Sequence, residues 1–413
     1  MFPETDRRSA QTEDLLTPAS QFPVEIDVDA VVDELNNTGT HRSPGTAPSP
    51  ACDENGFDLP VTQVDACERD PLKVATCPVC GSSTARPTFA IERMAFRVVT
   101  CIGCHLGSLH PRPTPAEISG FYPAEYYGTA GAKFEPVVES LVRLVGARHV
   151  RWLTRGLPPK ARVLDVGCGR GVLLGALADK GFEVHGFEIS ETAVVGADSR
   201  AKIRIASSLT EARYPQGNFD QVILWHVLEH LPNPREVLEE IRRVLKPGGR
   251  LVLAVPNFSS AQSRWAGPTW FHLDLPRHLF HFPKSAVRRL IEECGFDCRG
   301  ERHFSLRQNP FGWIQSALNR SPALPRNGLY ALLKRSECAK TQSLLTRLKL
   351  RLAYWMGMPL GVMASFFSAC LRTGASVCLL AESRGVPLDS QSAPAKLNEF
   401  ADSHPECFEY AEQ

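Results

Sequence analysis

Residues 161–181 read ARVLDVGCGRGVLLGALADKG. An apolar run, then a cluster of glycines, then a second apolar run at helical spacing predicts a buried strand, a tight turn and a helix. In α/β proteins that junction is where nucleotide-type ligands sit, outside the carboxyl end of the strand. The next predicted strand, FEVHGFEIS, brings Glu188 to its end, about 20 residues after the first glycine, the usual place for a carboxylate that holds ribose hydroxyls.

The glycine spacing narrows the ligand. A dinucleotide fingerprint needs G-x-G-x-x-G, but Gly167, Gly169 and Gly171 alternate and Val172 stands at the third required position. A turn of the form D-x-G-x-G-x-G, beginning at Asp165, suits a ligand without pyrophosphate whose amino and carboxylate groups approach bare backbone. Here the chain resembles class I S-adenosylmethionine-dependent methyltransferases. FDQVILWHVLEHLPNP resembles the fourth strand of that fold and its loop, and VLEEIRRVLKPGGRLVLAVPN the next helix, turn and fifth strand. GFDCRGERHFSLRQNP and GASVCLLAES resemble the sixth and seventh strands, the last antiparallel. The resemblance implies an α/β fold: a Rossmann-like seven-stranded methyltransferase sheet with helices on both faces. It implies S-adenosyl-L-methionine as cofactor, held by Asp165, Gly167, Gly169, Gly171 and Glu188. Where the family often has an acidic residue near the adenine, this chain offers Ser207, Ser208 and Glu211, of which Ser207 is the candidate. Trp225 is a candidate wall for the sulfonium through cation–π contact, with core packing as the alternative.

HVLEH, residues 226–230, matches H-x-x-E-H, which on a helix binds zinc in some peptidases. Two histidines can share a helix face only where there is a helix, yet DQVILW before them is strand-like and Pro232 and Pro234 follow. The segment is therefore read as the rim of the cofactor pocket. Departure of a methyl group from a sulfonium needs no acid, and a base is needed only when the acceptor must lose a proton. His226 and His278 are the candidate catalytic residues. His278 lies in WFHLDLPRHLFHF with His272, Asp274, Arg277 and His281, a stretch that resembles the segment capping the acceptor pocket in such methyltransferases. Caps and backbone bonds are the competing roles for any one of these histidines.

Upstream, Cys77 and Cys80, then Cys101 and Cys104, form two C-x-x-C pairs with 20 residues between them. Two such knuckles flanking a β-prone stretch predict a zinc ribbon with four thiolate ligands, hence a structural zinc. Residues 113–158 read as linker and N-terminal helices, including a helix around Glu135 to Leu153, with Phe121, Tyr122, Tyr126 and Tyr127 placed to line a mouth or an interdomain contact. Residues 1–73 hold 15 acidic against 5 basic residues and few aromatics, so they are expected to be disordered. The ribbon is set at 74–112, the core at 159–304, a basic and apolar helical insertion at 305–372, the last core strand at 373–384, and a disordered tail at 385–413.

Within the insertion, Arg320 to Arg351 contains eight basic residues and one glutamate, followed by 20 uncharged residues. Basic followed by apolar reads as a membrane-surface element on residues 320–371. Gly357, Pro359 and Gly361 are expected to interrupt it into an interfacial or buried helical pair, and an ordinary cap helix is the competing reading.

A net charge of +1 argues against a nucleic-acid coat. Thirteen cysteines and a polar N-terminus point to a reducing, cytoplasmic setting, peripheral to the inner face of the membrane if the insertion binds lipid. The resemblance extends to bacterial methyltransferases with the same ribbon, FYPAEYYG and DLPRHLFHF layout, and implies a small-molecule, glycan or lipid-linked acceptor methylated on O, N or C. An RNA methyltransferase is the first alternative, disfavoured because residues 77–112 carry four arginines and one glutamate rather than a basic stripe. A non-catalytic zinc-ribbon adaptor is the second, disfavoured by the glycine turn and Glu188.

Overall fold

The computed structural model describes residues 60–64, 70–92, 94–122, 150–306, 308–334 and 336–384. Its central sheet has seven strands. They are β6 (Arg162–Val166), β7 (Glu183–Glu188), β8 (Lys202–Ile205), β9 (Phe219–Trp225), β10 (Leu245–Pro256), β12 (Phe296–Arg302) and β13 (Ser376–Ser383), in the order β12-β13-β10-β9-β6-β7-β8. Strands β10, β9, β6, β7 and β8 run parallel, and β13 runs antiparallel to both β10 and β12. This mixed sheet, flanked by helices, matches the Rossmann-like methyltransferase fold. Its inner strands are continuous apolar runs because both faces are covered: Val163, Leu164, Val222, Ile223, Leu224 and Leu253 have no exposed surface.

A second sheet is wholly antiparallel. It contains β1 (Val61–Gln63), β2 (Leu72–Lys73), β3 (Thr84–Ile91), β4 (Arg97–Cys101), β5 (Gly107–His110) and β11 (Phe280–His281), in the order β1-β3-β4-β5-β11 with β2 also on β3. Two sequence expectations are corrected here. Residues 61–63 and 72–73 are strands rather than part of a disordered segment, because β3 offers both its ends for pairing. The sheet also runs beyond 74–112, since β11 comes from the DLPRHLFHF segment. Val79, Val98 and Leu106 share one core cluster with Leu164, Leu224 and Leu253, so the two sheets are packed as a unit.

The helices are α1 (Pro115–Gly120), α2 (Val172–Ala178), α3 (Pro234–Val244), α4 (Ala261–Ala266), α5 (Lys284–Glu293), α6 (Asn309–Asn319), α7 (Gly328–Lys334), α8 (Glu337–Lys340) and α9 (Leu344–Cys370). Residues 150–153 are helical, and the rest of the helix expected from Glu135 lies outside the described residues, as do Tyr126 and Tyr127. Contrary to expectation, α9 passes through Gly357, Pro359 and Gly361 as one helix of 27 residues. Pro359 is exposed, so the carbonyl it leaves unpaired one turn back can be satisfied by water. The glycines serve close packing: a Cβ on Gly361 would lie 2.9 Å from the Pro310 carbonyl oxygen and one on Gly357 would lie 3.1 Å from Ile314.

Candidate active site and thiolate cluster

Strand β6 neighbours β7 on one side and β9 on the other, so the chain reverses its direction of travel across the sheet there and a crevice opens at their carboxyl ends. Asp165 stands at the end of β6, buried. Gly167, Gly169 and Gly171 follow, all with positive φ, at 72°, 49° and 68°. Gly167 is required by space as well as by conformation, because a Cβ there would lie 2.6 Å from Val227 Cγ2. No described atom lies within 4 Å of where a Cβ on Gly169 would be, so the turn presents bare backbone.

Glu188, at the end of β7, accepts hydrogen bonds from the Gly169 N–H at 2.9 Å and the Ile189 N–H at 2.8 Å. Burial pushes the Asp165 carboxyl up to about 8, and the neighbouring Glu188 charge adds to that shift. An acidic pair with one carboxyl held neutral by burial suits a cationic ligand, whose charge would compensate the ionised form. The Ser207 hydroxyl donates to Glu211 on the exposed loop after β8. Trp225 ends β9 and packs edge to face on His226, with ring centroids 5.9 Å apart.

The rim beyond β9 gathers the histidines. His226 adopts φ 54°, which turns the chain from the strand into the 3-10 turn Leu228–His230. Its Nδ1 lies 3.2 Å from Glu229 Oε1 and its Nε2 lies 3.3 Å from the Ser376 hydroxyl of β13. Burial works to raise the Glu229 carboxyl, but the His226 hydrogen bond and three nearby imidazoles hold it lower overall. His230 Nδ1 lies 2.8 Å from the Tyr122 hydroxyl and 3.1 Å from the Arg277 carbonyl oxygen. His278 is buried, with Nδ1 3.0 Å from the His272 carbonyl oxygen. Burial holds His272 and His278 down at about 3 and His281 at about 4, so these rings are neutral at ordinary pH. HVLEH and DLPRHLFHF therefore meet in space. The reading of HVLEH as a rim, with His226 and His278 as its chemical groups, left Glu229 without a role there, and Tyr122, expected to line a mouth or an interdomain contact, meets His230.

On the antiparallel sheet, Cys77 and Cys80 lie in the turn before β3, and Cys101 and Cys104 bracket the turn after β4. Gly81 and His105, each just after a pair, take φ 75° and 61°. Cys77 Sγ is 3.5 Å from Cys104 Sγ and Cys80 Sγ is 3.5 Å from Cys101 Sγ, with all four sulfurs within 4.8 Å of one another. A tetrahedral zinc with bonds of about 2.3 Å sets sulfurs about 3.8 Å apart, so the donor set fits that ion. The contact with Cys104 draws the Cys77 thiol down to about 5 and pushes Cys104 up, as sharing one proton between two sulfurs requires. Arg235 at the start of α3 braces the first turn by donating to the Pro78 carbonyl at 3.1 Å.

A family model described as a methyltransferase domain matches residues 140–300. The ubiquinone biosynthesis O-methyltransferase of Xanthomonas oryzae pv. oryzae (strain PXO99A) is 34% identical over 131 residues, which are 30% of this chain and 55% of that protein. The chain thus spans about half the length of that relative. The ubiquinone biosynthesis O-methyltransferase of Thiobacillus denitrificans is 29% identical over 197 residues, 44% of this chain and 83% of that protein. Among solved structures, a SAM-dependent methyltransferase from Archaeoglobus fulgidus aligns with 60% of this chain and 98% of its own, at 19% identity and a TM-score of 0.38.

Proposed function

We propose that this chain, which carries a class I S-adenosylmethionine-dependent methyltransferase domain, methylates a small-molecule acceptor, and that the acceptor is lipid-linked. The observation that carries the reading is the crevice itself: the open glycine turn, buried Asp165 and Glu188 converge on one side of β6, with His226 on the other. Asp165 and Glu188 hold the cofactor's amino group and ribose, Gly167, Gly169 and Gly171 supply the cradle, and Ser207 and Trp225 border it. When bound, S-adenosylmethionine supplies an electrophilic methyl on sulfur and leaves as a neutral thioether.

His226 is the base. Its Nδ1–H donates to Glu229, which fixes the tautomer and leaves Nε2 to accept a proton from an acceptor hydroxyl or amine. His278 stands beside Glu229, with Nε2 3.9 Å from Oε1. The thiolates of Cys77, Cys80, Cys101 and Cys104 hold a structural zinc, since four sulfur ligands leave no position for substrate. An oxygen acceptor is favoured by the two relatives, both ubiquinone biosynthesis O-methyltransferases.

A second observation supports lipid. Trp355, Met356, Leu360, Met363, Phe366 and Phe367 of α9 are all more than half exposed, and the helix contains Arg347, Lys349 and Arg351 but no acidic residue. Exposed apolar side chains on a helix with basic and no acidic residues suit an anionic bilayer surface. By length and composition α9 could cross a membrane. Only five residues, 371–375, separate it from β13 in the central sheet, so α9 lies along the surface instead.

The test is incubation of the full chain with methyl-labelled cofactor and fractionated lysate. Label in the lipid or small-molecule fraction supports the reading, whereas label only in RNA or protein overturns it.

A further inference from the structure

The carboxylate of Glu229 faces one ring nitrogen of His278, and the ring of His230 lies beside both. A backbone carbonyl can only accept a hydrogen bond. His278 must therefore carry its proton on Nδ1, toward the His272 carbonyl. His230 Nδ1 lies between the Arg277 carbonyl oxygen at 3.1 Å and the Tyr122 hydroxyl at 2.8 Å. In the neutral His278 ring Nε2 is then left with a lone pair. His278 Nε2 points at Glu229 Oε1, 3.9 Å away, and at Asp274 Oδ2, 3.8 Å away. Glu229 Oε2 is buried and has no hydrogen-bond partner. One donor atom from each of Glu229, His230 and His278 lies within 4.8 Å of the other two.

Lone pairs pointing inward in a buried space are costly unless something positive sits among them. The separations are too long for direct hydrogen bonds and match ligands spaced around an ion of about 2.0–2.2 Å bond length, relaxed by a few tenths of an ångström. Two imidazoles and one carboxylate form the donor set that divalent first-row ions prefer, while magnesium and calcium favour all-oxygen cages. The surrounding groups are held as well, because the His278 N–H is tied to the His272 carbonyl and Arg277 pairs with Asp274.

We propose that Glu229, His230 and His278 bind a divalent first-row cation such as Mn2+, Fe2+, Co2+ or Zn2+, at a site separate from the four cysteines. The site rests on the acceptor rim described under the proposed function and deepens it. His226 shares Glu229 with the cation, so the ion is coupled to the base through one carboxylate. HVLEH is then a metal-ligating sequence after all, though through Glu229 and His230 with a histidine 48 positions downstream rather than through its own two histidines.

The experiment uses the full chain with its cysteine site loaded with zinc. Mn2+ is titrated with free ion followed by electron paramagnetic resonance, and Co2+ by visible absorption. S-adenosylmethionine binding is measured in parallel. One Mn2+ or Co2+ per chain is expected, with no thiolate-to-cobalt absorption. Affinity should fall at least tenfold in Glu229→Gln and in His278→Gln while S-adenosylmethionine still binds. Wild-type protein that binds S-adenosylmethionine but takes up neither ion overturns the proposal, as does unchanged ion affinity in both variants. Uptake of the ion without any S-adenosylmethionine binding would instead overturn the methyltransferase reading and leave the metal site standing.

Discussion

Glu188 and Gly169 are joined by a hydrogen bond of 2.9 Å from the glycine N–H to the carboxylate, which ties the end of β7 to the middle of the glycine turn. The same carboxylate also accepts from Ile189. Glu188→Ala leaves two backbone donors without partners and removes the group assigned to the ribose. Cofactor affinity should drop about 10- to 100-fold, the equivalent of about 1.5–3 kcal/mol for a charged hydrogen-bond acceptor. Isothermal calorimetry reads this, and full affinity in both Glu188→Ala and Asp165→Ala would refute the pocket.

Asp165 gives the pH dependence. Its carboxyl is raised by burial to about 8 in the folded protein, against about 4 when unfolded. A raised carboxyl contributes stability that is fully present below pH 4 and is lost as pH rises toward 8. The melting temperature of the ligand-free protein should therefore fall over that window more steeply in the wild type than in Asp165→Asn. A cationic ligand favours the ionised form, so cofactor affinity should climb between pH 6 and 7.5 with release of a proton. Equal slopes for the two proteins would sink this assignment.

Gly167 and Val227 are a steric pair. Gly167→Ala places a Cβ 2.6 Å from Val227 Cγ2 at φ 72°, and should cost about 2–4 kcal/mol from overpacking and left-handed strain together. Adding Val227→Ala should recover the packing part and leave the conformational part. Urea denaturation of the four proteins in this cycle measures the coupling, and strict additivity would show that the contact is not the cause.

The thiolate cluster should be structural for the whole molecule. Cys80→Ser or Cys101→Ser should abolish the thiolate-to-cobalt absorption of cobalt-substituted protein and lower the melting temperature of the complete chain, because Val79 and Leu106 share a core with Leu164 and Leu224. Loss of the absorption with an unchanged melting curve would show the cluster to be peripheral.

Helix α9 should hold the protein on anionic vesicles in a salt-sensitive manner. Phe366→Ser with Phe367→Ser should weaken flotation with such vesicles without changing cofactor affinity. A wild-type chain that ignores anionic vesicles would rule the bilayer out.

The sequence displayed the central sheet because each of its units is local. Val163 to Val166, the glycines and Leu174 to Leu177 are contiguous, and the apolar run of β9 announces a strand covered on both faces. Strands β1, β2 and β11 are two or three residues long, too short for any periodicity, and exist only because β3 and β5 offer edges to them. Breaker residues misled in α9, where Gly357 and Gly361 are contact points against α6 and Pro359 faces outward. At the rim, the roles of Glu229 and His278 depend on which carbonyl fixes each ring proton. That is a tertiary fact, which the H-x-x-E-H spelling does not carry.

Strand β11 has a consequence for synthesis. The cysteine-bearing sheet is complete only when Phe280 and His281 arrive beside β5, about 170 residues after it has left the ribosome, and the central sheet waits for β13, which follows α9. A nascent chain therefore holds both sheets open at one edge through most of translation, with the apolar α9 emerging just before the second is closed. Such late, non-local closure slows folding and leaves strand edges available to other chains. Expression at lower temperature, or with a chaperone that shields unpaired edges, should raise the soluble yield more than stabilising any single strand.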